Sequence, residues 1–338
     1  MPTRINHKRF VILISGPTAT GKSDFATQLA KYNSIEIVNA DIGSFYTQLT
    51  IGTAKPNWQS SAIRHHFFDV IDDTSSWTAP QFREKLELLI QEIWDRGNIP
   101  VIVGGSVFYI QAFFYKNHTL AMPKAELIES LESQSATDLW EQLHAIDPLR
   151  AAKIDPNDQY RLVRALAIWH TQGQKPSDFE QQFVPIAPFY FITLTRDRDQ
   201  LYDMINQRVQ TMIDAGWLQE VRSLLDDGPW TEFLLKKKMI GYDLLAQYLL
   251  GYQSEQSLDE IVDLIAQRTR NYAKRQITFL KKLQKSVFAQ LCPDKDITDS
   301  TDSMVTHKNC MGKVQEYNLS EIDGNMIIDQ VQKEINQF

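Results

Sequence analysis

The first apolar run of the chain, Phe10 to Ser15 (FVILIS), ends at Gly16, and a stretch of good helix formers from Lys22 to Lys31 follows it directly. A continuous run this short, closed by glycine, predicts a buried strand, a glycine turn and a helix. Short apolar runs at 35–38 (IEIV), 67–71 (FFDVI), 100–103 (PVIV) and 189–194 (FYFITL) predict further strands, with helical periodicity in several gaps, notably 80–95. Strands alternating with helices imply an α/β fold with a mostly parallel sheet covered on both faces. From about 121 to 187 the pattern changes: Leu127, Ile128 and Leu131, then Leu139, Trp140 and Leu143, then Leu162, Leu166 and Trp169 recur at helical spacing. That stretch reads as an all-helical insertion between two core strands. Helical patterns return over about 198–225 and 239–285, and residues 293–313 become polar and rich in Asp, Ser and Thr. The expected organisation is a core of 8–120 and 188–290 ending in helices, an insertion of 121–187, and a tail of 291–338. The tail reads as a linker and a last amphipathic helix with Ile327, Ile328, Val331 and Ile335.

Composition adds limits to this picture. With 338 residues, 43% of them hydrophobic, the chain can bury a substantial core, which excludes a disordered tail or a small disulfide-stapled scaffold. Thirty-five basic against 42 acidic residues give a net charge of −7, so a polyanionic partner has to be met by a local basic patch. The two cysteines, Cys292 and Cys310, lie in no metal-ligand spacing and fit a reducing compartment. No apolar run approaches the roughly 18 residues of a membrane span, and the first is too short for a secretory signal. A soluble cytoplasmic monomer without membrane contact is expected.

The segment Gly16-Pro17-Thr18-Ala19-Thr20-Gly21-Lys22-Ser23 satisfies GxxxxGK[ST] between a predicted strand and a predicted helix, the context in which this motif is specific. Its glycines let consecutive N–H groups converge on one anion, and the helix N-terminus adds partial positive charge. Lys22 supplies a mobile cation, and the Ser23 hydroxyl can ligate Mg²⁺. The loop predicts a nucleotide-type site for a di- or triphosphate, such as ATP, without saying whether the phosphate is transferred, hydrolysed or leaves. A guanine-reading NKxD is absent, and Asp41, Asp69 and Asp72 are weak candidates for the acidic Mg²⁺ group of an ATPase or kinase.

The segments after the loop discriminate better. Asn39-Ala40-Asp41-Ile42-Gly43-Ser44-Phe45-Tyr46, then IGTAKP (51–56), HHFFD (65–69), GGSVFY (104–109), Ile240-Gly241-Tyr242 and Arg270-Asn271-Tyr272-Ala273-Lys274-Arg275-Gln276 occur in that order. Together they resemble the tRNA dimethylallyltransferase family over most of the chain, from about Val11 to Lys285. The resemblance implies a phosphate-loop core and transfer of a dimethylallyl group from dimethylallyl diphosphate to N6 of adenosine 37, beside the anticodon, in tRNAs reading codons that begin with U. By similarity Asp41 is the general base, and Arg208 holds the diphosphate with the loop and Mg²⁺. Ser106 keeps a hydroxyl where the family usually has threonine. Ile42 and Ser44 stand where the family usually has serine and glutamine, and GGSVFY replaces GGTGLY, enlarging two side chains near the site entrance. No zinc-binding Cys/His tail is present, as in bacterial members.

The same resemblance implies contacts to the anticodon stem-loop from the Asp41-Ile42-Gly43-Ser44 turn, Ser106, Tyr160-Arg161-Leu162-Val163-Arg164, Lys238, Gly241, Tyr242, Lys274, Arg275 and Gln276. Between Arg268 and Lys285 there are seven basic residues and no acidic one. Such a stripe neutralises backbone phosphates, although a solvated helix face is the commoner fate of a charge run. The target adenine has to be flipped out of its stack to react. His65 and His66, adjacent on a strand, point to opposite faces and make a poor shared ligand pair. Trp140, Trp169 and Trp217 sit at apolar helical positions and read as core. A transferase acting on free adenylate, a small-molecule kinase, and a nucleic-acid-stimulated ATPase are the competing readings. The basic stripe and helical insertion speak against the first.

Overall fold

The computed structural model describes residues 9–116, 123–179, 181–237, 239–252, 255–292 and 312–336. They form two compact units, one running to Phe114 and resuming at Pro185, the other Tyr115–Val184.

The first unit is built on β1 (Val11–Ser15), β2 (Ile35–Asn39), β3 (His65–His66), β4 (Ile99–Gly104), β7 (Phe189–Thr195) and β8 (Gly312–Asn318). Their order is β3-β2-β4-β1-β7-β8, and every neighbouring pair is parallel. Strands covered on both faces need no polar side, which is why all five residues of β1 are apolar or small and buried. Ile12 and Ile14 join Ile192 and Leu194 against α1 (Lys22–Leu29) and α13 (Gly324–Ile335). The alternate residues Phe189 and Phe191 meet the ring of Phe114, the last residue of α3 (Val107–Phe114), on the other face. α2 (Ala79–Asp95) opens with a reciprocal Thr78–Gln81 capping box and packs on α3 and β4. Further along come α8 (Arg198–Asp214), α9 (Trp217–Leu225), α10 (Gly228–Lys237) and α11 (Tyr242–Leu249). The 34-residue α12 (Leu258–Leu291), started by a Ser257–Glu260 capping box, packs along α8.

The second unit contains α4 (Ala125–Glu132), α5 (Ala136–Ile146), α6 (Pro148–Ala151) and α7 (Gln159–Gln172) around Leu131, Leu139, Leu143, Leu162 and Leu166. It is not wholly helical: β5 (Tyr115–Lys116) and β6 (Gln182–Phe183) pair antiparallel at its two chain ends.

Two expectations are corrected. The run 67–71 is not a strand. Pairing with β2 stops at His66, and Phe67 and Asp69 adopt left-handed backbone (φ 62° and 51°), which breaks any ladder. The tail is not only linker and helix, because Gly312–Asn318 pairs residue for residue with β7 as the sheet's edge strand. At Gly312 a β-carbon would lie 2.2 Å from the Phe189 ring, so only glycine lets the strand approach. Ile327, Ile328 and Val331 are essentially fully buried, each contributing about 1.5–3 kcal/mol to holding the tail on the sheet. Residues 293–311, with Cys310, lie outside the described residues.

Candidate active site

Open parallel sheets bind ligands beyond the C-terminal ends of their strands, and β1, β2 and β4 all deliver chemistry there. After β1 the chain turns at Gly16, where a β-carbon would come within 2.4 Å of Leu194 O. Ala19 (φ 64°) and Gly21 (φ 90°) are both left-handed, the alternation that makes successive N–H groups converge. Thr20 Oγ1 and Lys22 Nζ each donate to Pro17 O at 2.8 Å, drawing the loop closed. Ser23 is exposed at the start of α1. Burial lowers the Lys22 ammonium to about 8, with nearby Arg208 acting in the same direction and Asp41 opposing both. Burial likewise lowers Arg208, against the pull of Asp41 and Asp24. Lysine, arginine and aspartate therefore share one electrostatic neighbourhood.

Asp41 stands just past β2, fixed by the side chain of Asn39. Asp41 N donates to Asn39 Oδ1 (3.0 Å), while Asn39 Nδ2 donates to Asp41 O (3.1 Å) and Phe67 O (2.9 Å). Ser106, just past β4, donates its hydroxyl to Asp41 Oδ1 at 3.2 Å and accepts from Ile42 N at 3.1 Å. The phosphate loop and this pair meet at Gly105, where a β-carbon would lie 3.6 Å from both Asp41 Oδ2 and Gly16 O. Asp41, Ser106, Arg208 and the loop thus lie together. Tyr272 joins them without having been singled out. Burial and then Asp41 push its hydroxyl well up, and hydrogen bonds with Ser106 and Gln276 act the other way.

Several residues expected as RNA contacts are engaged within the fold. Gln276 is 3% exposed: its Oε1 accepts from Thr18 N (2.9 Å) and its Nε2 donates to Gly105 O (2.7 Å), tying the phosphate loop to the GGSVFY segment. Tyr242 is buried and donates to Glu220 Oε1 at 2.6 Å. Gly241 has no side chain because a β-carbon would lie 2.1 Å from the Trp217 ring, which also abuts Gly52. Leu162 and Val163 are core residues of the second unit, and Gly43 and Ser44 are buried in the turn after Asp41. Tyr160, Arg161 and Arg164 are exposed on α7, and Lys274 and Arg275 on α12, where nucleic acid could reach them. Arg268 leaves the stripe: it donates to the buried Asp243 carboxylate at 2.7 Å. Lys238 lies outside the described residues.

Glu220 was not legible as a site residue. Its carboxylate accepts from Thr50 N (3.0 Å), Ile51 N (2.8 Å) and Gly52 N (3.3 Å) and from Tyr242, setting the IGTAKP loop. That loop supports the Asp41 turn, since a β-carbon at Gly43 would lie 2.7 Å from Thr53 Cγ2. Its Lys55 pairs with Asp69, which also accepts from Trp58 Nε1 at 3.0 Å, so Asp69 is engaged within the fold. Asp72 is exposed. Both histidines are structural: His66 Nε2 contacts Glu36 Oε2 at 2.6 Å and His65 Nδ1 contacts Ile63 O at 2.7 Å. Trp217 is buried, whereas Trp140 and Trp169 are half-buried, Trp140 lying against His144.

A phosphate cradle at the mouth of a parallel sheet grips a di- or triphosphate, and a carboxylate–hydroxyl pair beside it can take the proton of a group that attacks the phosphate's organic partner. The class so defined is a phosphate-loop group transferase. The family model described as IPP transferase matches residues 44–283. The tRNA dimethylallyltransferase of Oceanobacillus iheyensis is 36% identical over 282 residues, 81% of this chain and 88% of that protein. That of Bacillus subtilis is 35% identical over 311 residues, 89% and 97% of the two chains. The crystal structure of the full-length tRNA isopentenylpyrophosphate transferase from Bacillus halodurans superposes with a TM-score of 0.65 at 29% identity, covering 98% of this chain and 96% of that one. A eukaryotic dimethylallyltransferase, captured acting on tRNA, gives 0.69 at 28% identity over 81% and 70%. The chain belongs to the IPP transferase family.

Proposed function

We propose that this protein transfers a dimethylallyl group from dimethylallyl diphosphate to N6 of the adenosine beside the anticodon, position 37, of tRNAs that read codons beginning with U. The observation that carries the reading is the Asp41–Ser106 pair, set against the phosphate loop at Gly105 in a chain of this family. N6 is a weak nucleophile because its lone pair is delocalised into the ring. As N6 bonds to the allylic carbon, the carbon–oxygen bond breaks and diphosphate departs with the electron pair, while the N6 proton passes to the Asp41 carboxylate. The loop amides, Lys22 and Arg208 stabilise the charge growing on the leaving oxygen. Ser106 holds the carboxylate in place.

Among the described residues no group of three His, Cys, Asp or Glu side chains could hold a metal. Mg²⁺ fits what is present, because it usually keeps waters and substrate phosphates with one or two protein ligands, and the exposed Ser23 hydroxyl supplies one. Bound there it would neutralise diphosphate charge. RNA would lie on exposed Lys274 and Arg275 and on Tyr160, Arg161 and Arg164. No described helix is long and apolar enough to cross a membrane.

The test is incubation with Mg²⁺ and labelled dimethylallyl diphosphate, using unmodified tRNA or AMP as acceptor, followed by nucleoside analysis. Label on N6 of a tRNA adenosine is expected. Label on AMP alone would assign the free-nucleotide activity, and none on either would reject this donor.

A further inference from the structure

Two departures from the family motifs place apolar side chains at the surface beside the Asp41–Ser106 pair. Ile42, whose N–H bonds Ser106, is 37% exposed, and Phe108, two residues beyond Ser106, is 64% exposed. A single exposed apolar residue is ordinary. Phe108, however, is paired: its ring centroid lies 5.1 Å from that of Phe279, tilted by 60°. Phe279 also has cationic neighbours. Arg275, Phe279 and Lys282 follow one another at spacings of four and three, so they share a face of α12. Both cations are exposed, and neither has an ion-pair partner among the described residues. The platform is held near the chemistry, because Gln276, roughly 5 Å along the helix from Phe279, ties α12 to Gly105 and Thr18.

We propose that Phe108 and Phe279 form a stacking platform for one unpaired nucleobase of the RNA, a neighbour in the strand of the base that enters the Asp41 site, with Arg275 and Lys282 neutralising the flanking phosphates. Aromatic faces accept any base, and cations spaced along the same face match the phosphates that accompany it. A hydrocarbon tail fits less well, since Phe108 opens to solvent and the face of α12 that carries its partner Phe279 also carries Arg275 and Lys282. The inference rests on the tRNA reading above.

Anticodon stem-loop RNAs, intact or with an abasic residue at each loop position in turn, are titrated into the wild-type protein, Phe108→Ala and Phe108→Leu, and the KM for dimethylallyl diphosphate is measured alongside. Phe108→Ala is expected to weaken intact stem-loop binding about tenfold, as loss of one stacked base does. Leucine, which keeps the bulk without the ring, should restore only part of it, and the donor KM should not move. One abasic RNA with the gap beside the target adenosine should bind wild type and Phe108→Ala equally. If no abasic position removes the difference, or if the donor KM rises while RNA binding holds, the platform is wrong and the tRNA reading stands. Failure of the wild-type protein to bind any stem-loop would sink that reading and the platform with it.

Discussion

Strand β2 carries a carboxylate at each end, and the two could hardly be treated more differently. Near its start Glu36 is 1% exposed and accepts from Arg96 Nε and Nη2 (2.8 Å each) and Asn98 Nδ2 (2.7 Å), with His66 Nε2 at 2.6 Å. Burial pushes its carboxyl up, but these partners outweigh burial and hold it down at about 2. Just past the other end Asp41 receives one side-chain donor, Ser106, on Oδ1, and among the described residues Oδ2 accepts no hydrogen bond. A buried carboxylate whose lone pairs are all engaged is architecture, because any change there leaves partners unpaired. One with a lone pair left over, facing a phosphate cradle, can still take a proton. The number of engaged lone pairs separates these two roles better than burial does.

The contrast is broken most severely at the active end. Asp41→Asn keeps shape and the Ser106 contact but removes the proposed base, so single-turnover transfer should fall about a thousandfold, within the usual range for general-base loss, with tRNA affinity nearly unchanged. Turnover close to wild type would move the proton to another group. At the structural end Glu36→Ala should cost about 3 kcal/mol in urea unfolding, because Arg96 keeps only Glu92 and Asn98 loses its acceptor, while kcat of the folded protein holds. Because the folded carboxyl sits at about 2 against an ordinary 4.5, its stabilisation is complete above 4.5 and fades as pH falls between these values. Glu36→Gln should flatten that acid slope in the urea midpoint.

How far the sequence disclosed these two ends follows from the range over which each signal acts. The phosphate loop and the parallel strands were readable because strand, glycine turn and helix are contiguous and their periodicity is local, whereas a role for Asp41 came only from the family resemblance. Glu36 was invisible: its donors are 30 to 62 positions away along the chain. Tyr242 and Gln276 were recognised as motif residues, but their burial and internal hydrogen bonds were not readable, since a motif records that a residue type is needed and says nothing of which way it faces. Strand β8 was missed because its alternation is weak (GKVQEYN) and its partner β7 is more than a hundred residues earlier. The interruption at Phe67 was hidden inside an apolar run, whose hydrophobicity is the same whether its backbone is extended or left-handed.

Glu220 tests whether the contrast is strict. It is engaged like Glu36, yet it holds the IGTAKP loop, whose Thr53 lies against Gly43 in the turn after Asp41. Glu220→Gln leaves one oxygen to accept and turns an amide toward backbone N–H groups. Unfolding stability should drop by about 1–2 kcal/mol, the cost of an unmet hydrogen bond. A positioning role further predicts a kcat roughly tenfold lower with the donor KM unchanged, since small misplacements of a reacting group are costly. Loss of stability with full kcat would make Glu220 a purely structural residue.

The smallest effect lies in Lys22, on the active side of the contrast. Burial and Arg208 lower its ammonium to about 8 while Asp41 holds it up, so part of the population is neutral under mildly alkaline conditions. Diphosphate needs the charged form. Donor affinity should therefore weaken severalfold between about pH 8 and 9 while tRNA affinity does not follow that inflection. Folding stability shifts the opposite way: between about 8 and the ordinary 10.5 the unfolded lysine binds more protons than the folded one, so this group's contribution rises with pH. Lys22→Arg keeps its charge throughout and should lose the inflection in donor binding. A wild-type donor affinity flat across pH 8 would mean that the attraction of Asp41 overrides burial, placing the lysine in a permanent ion pair and making this end of β2 resemble the Glu36 end.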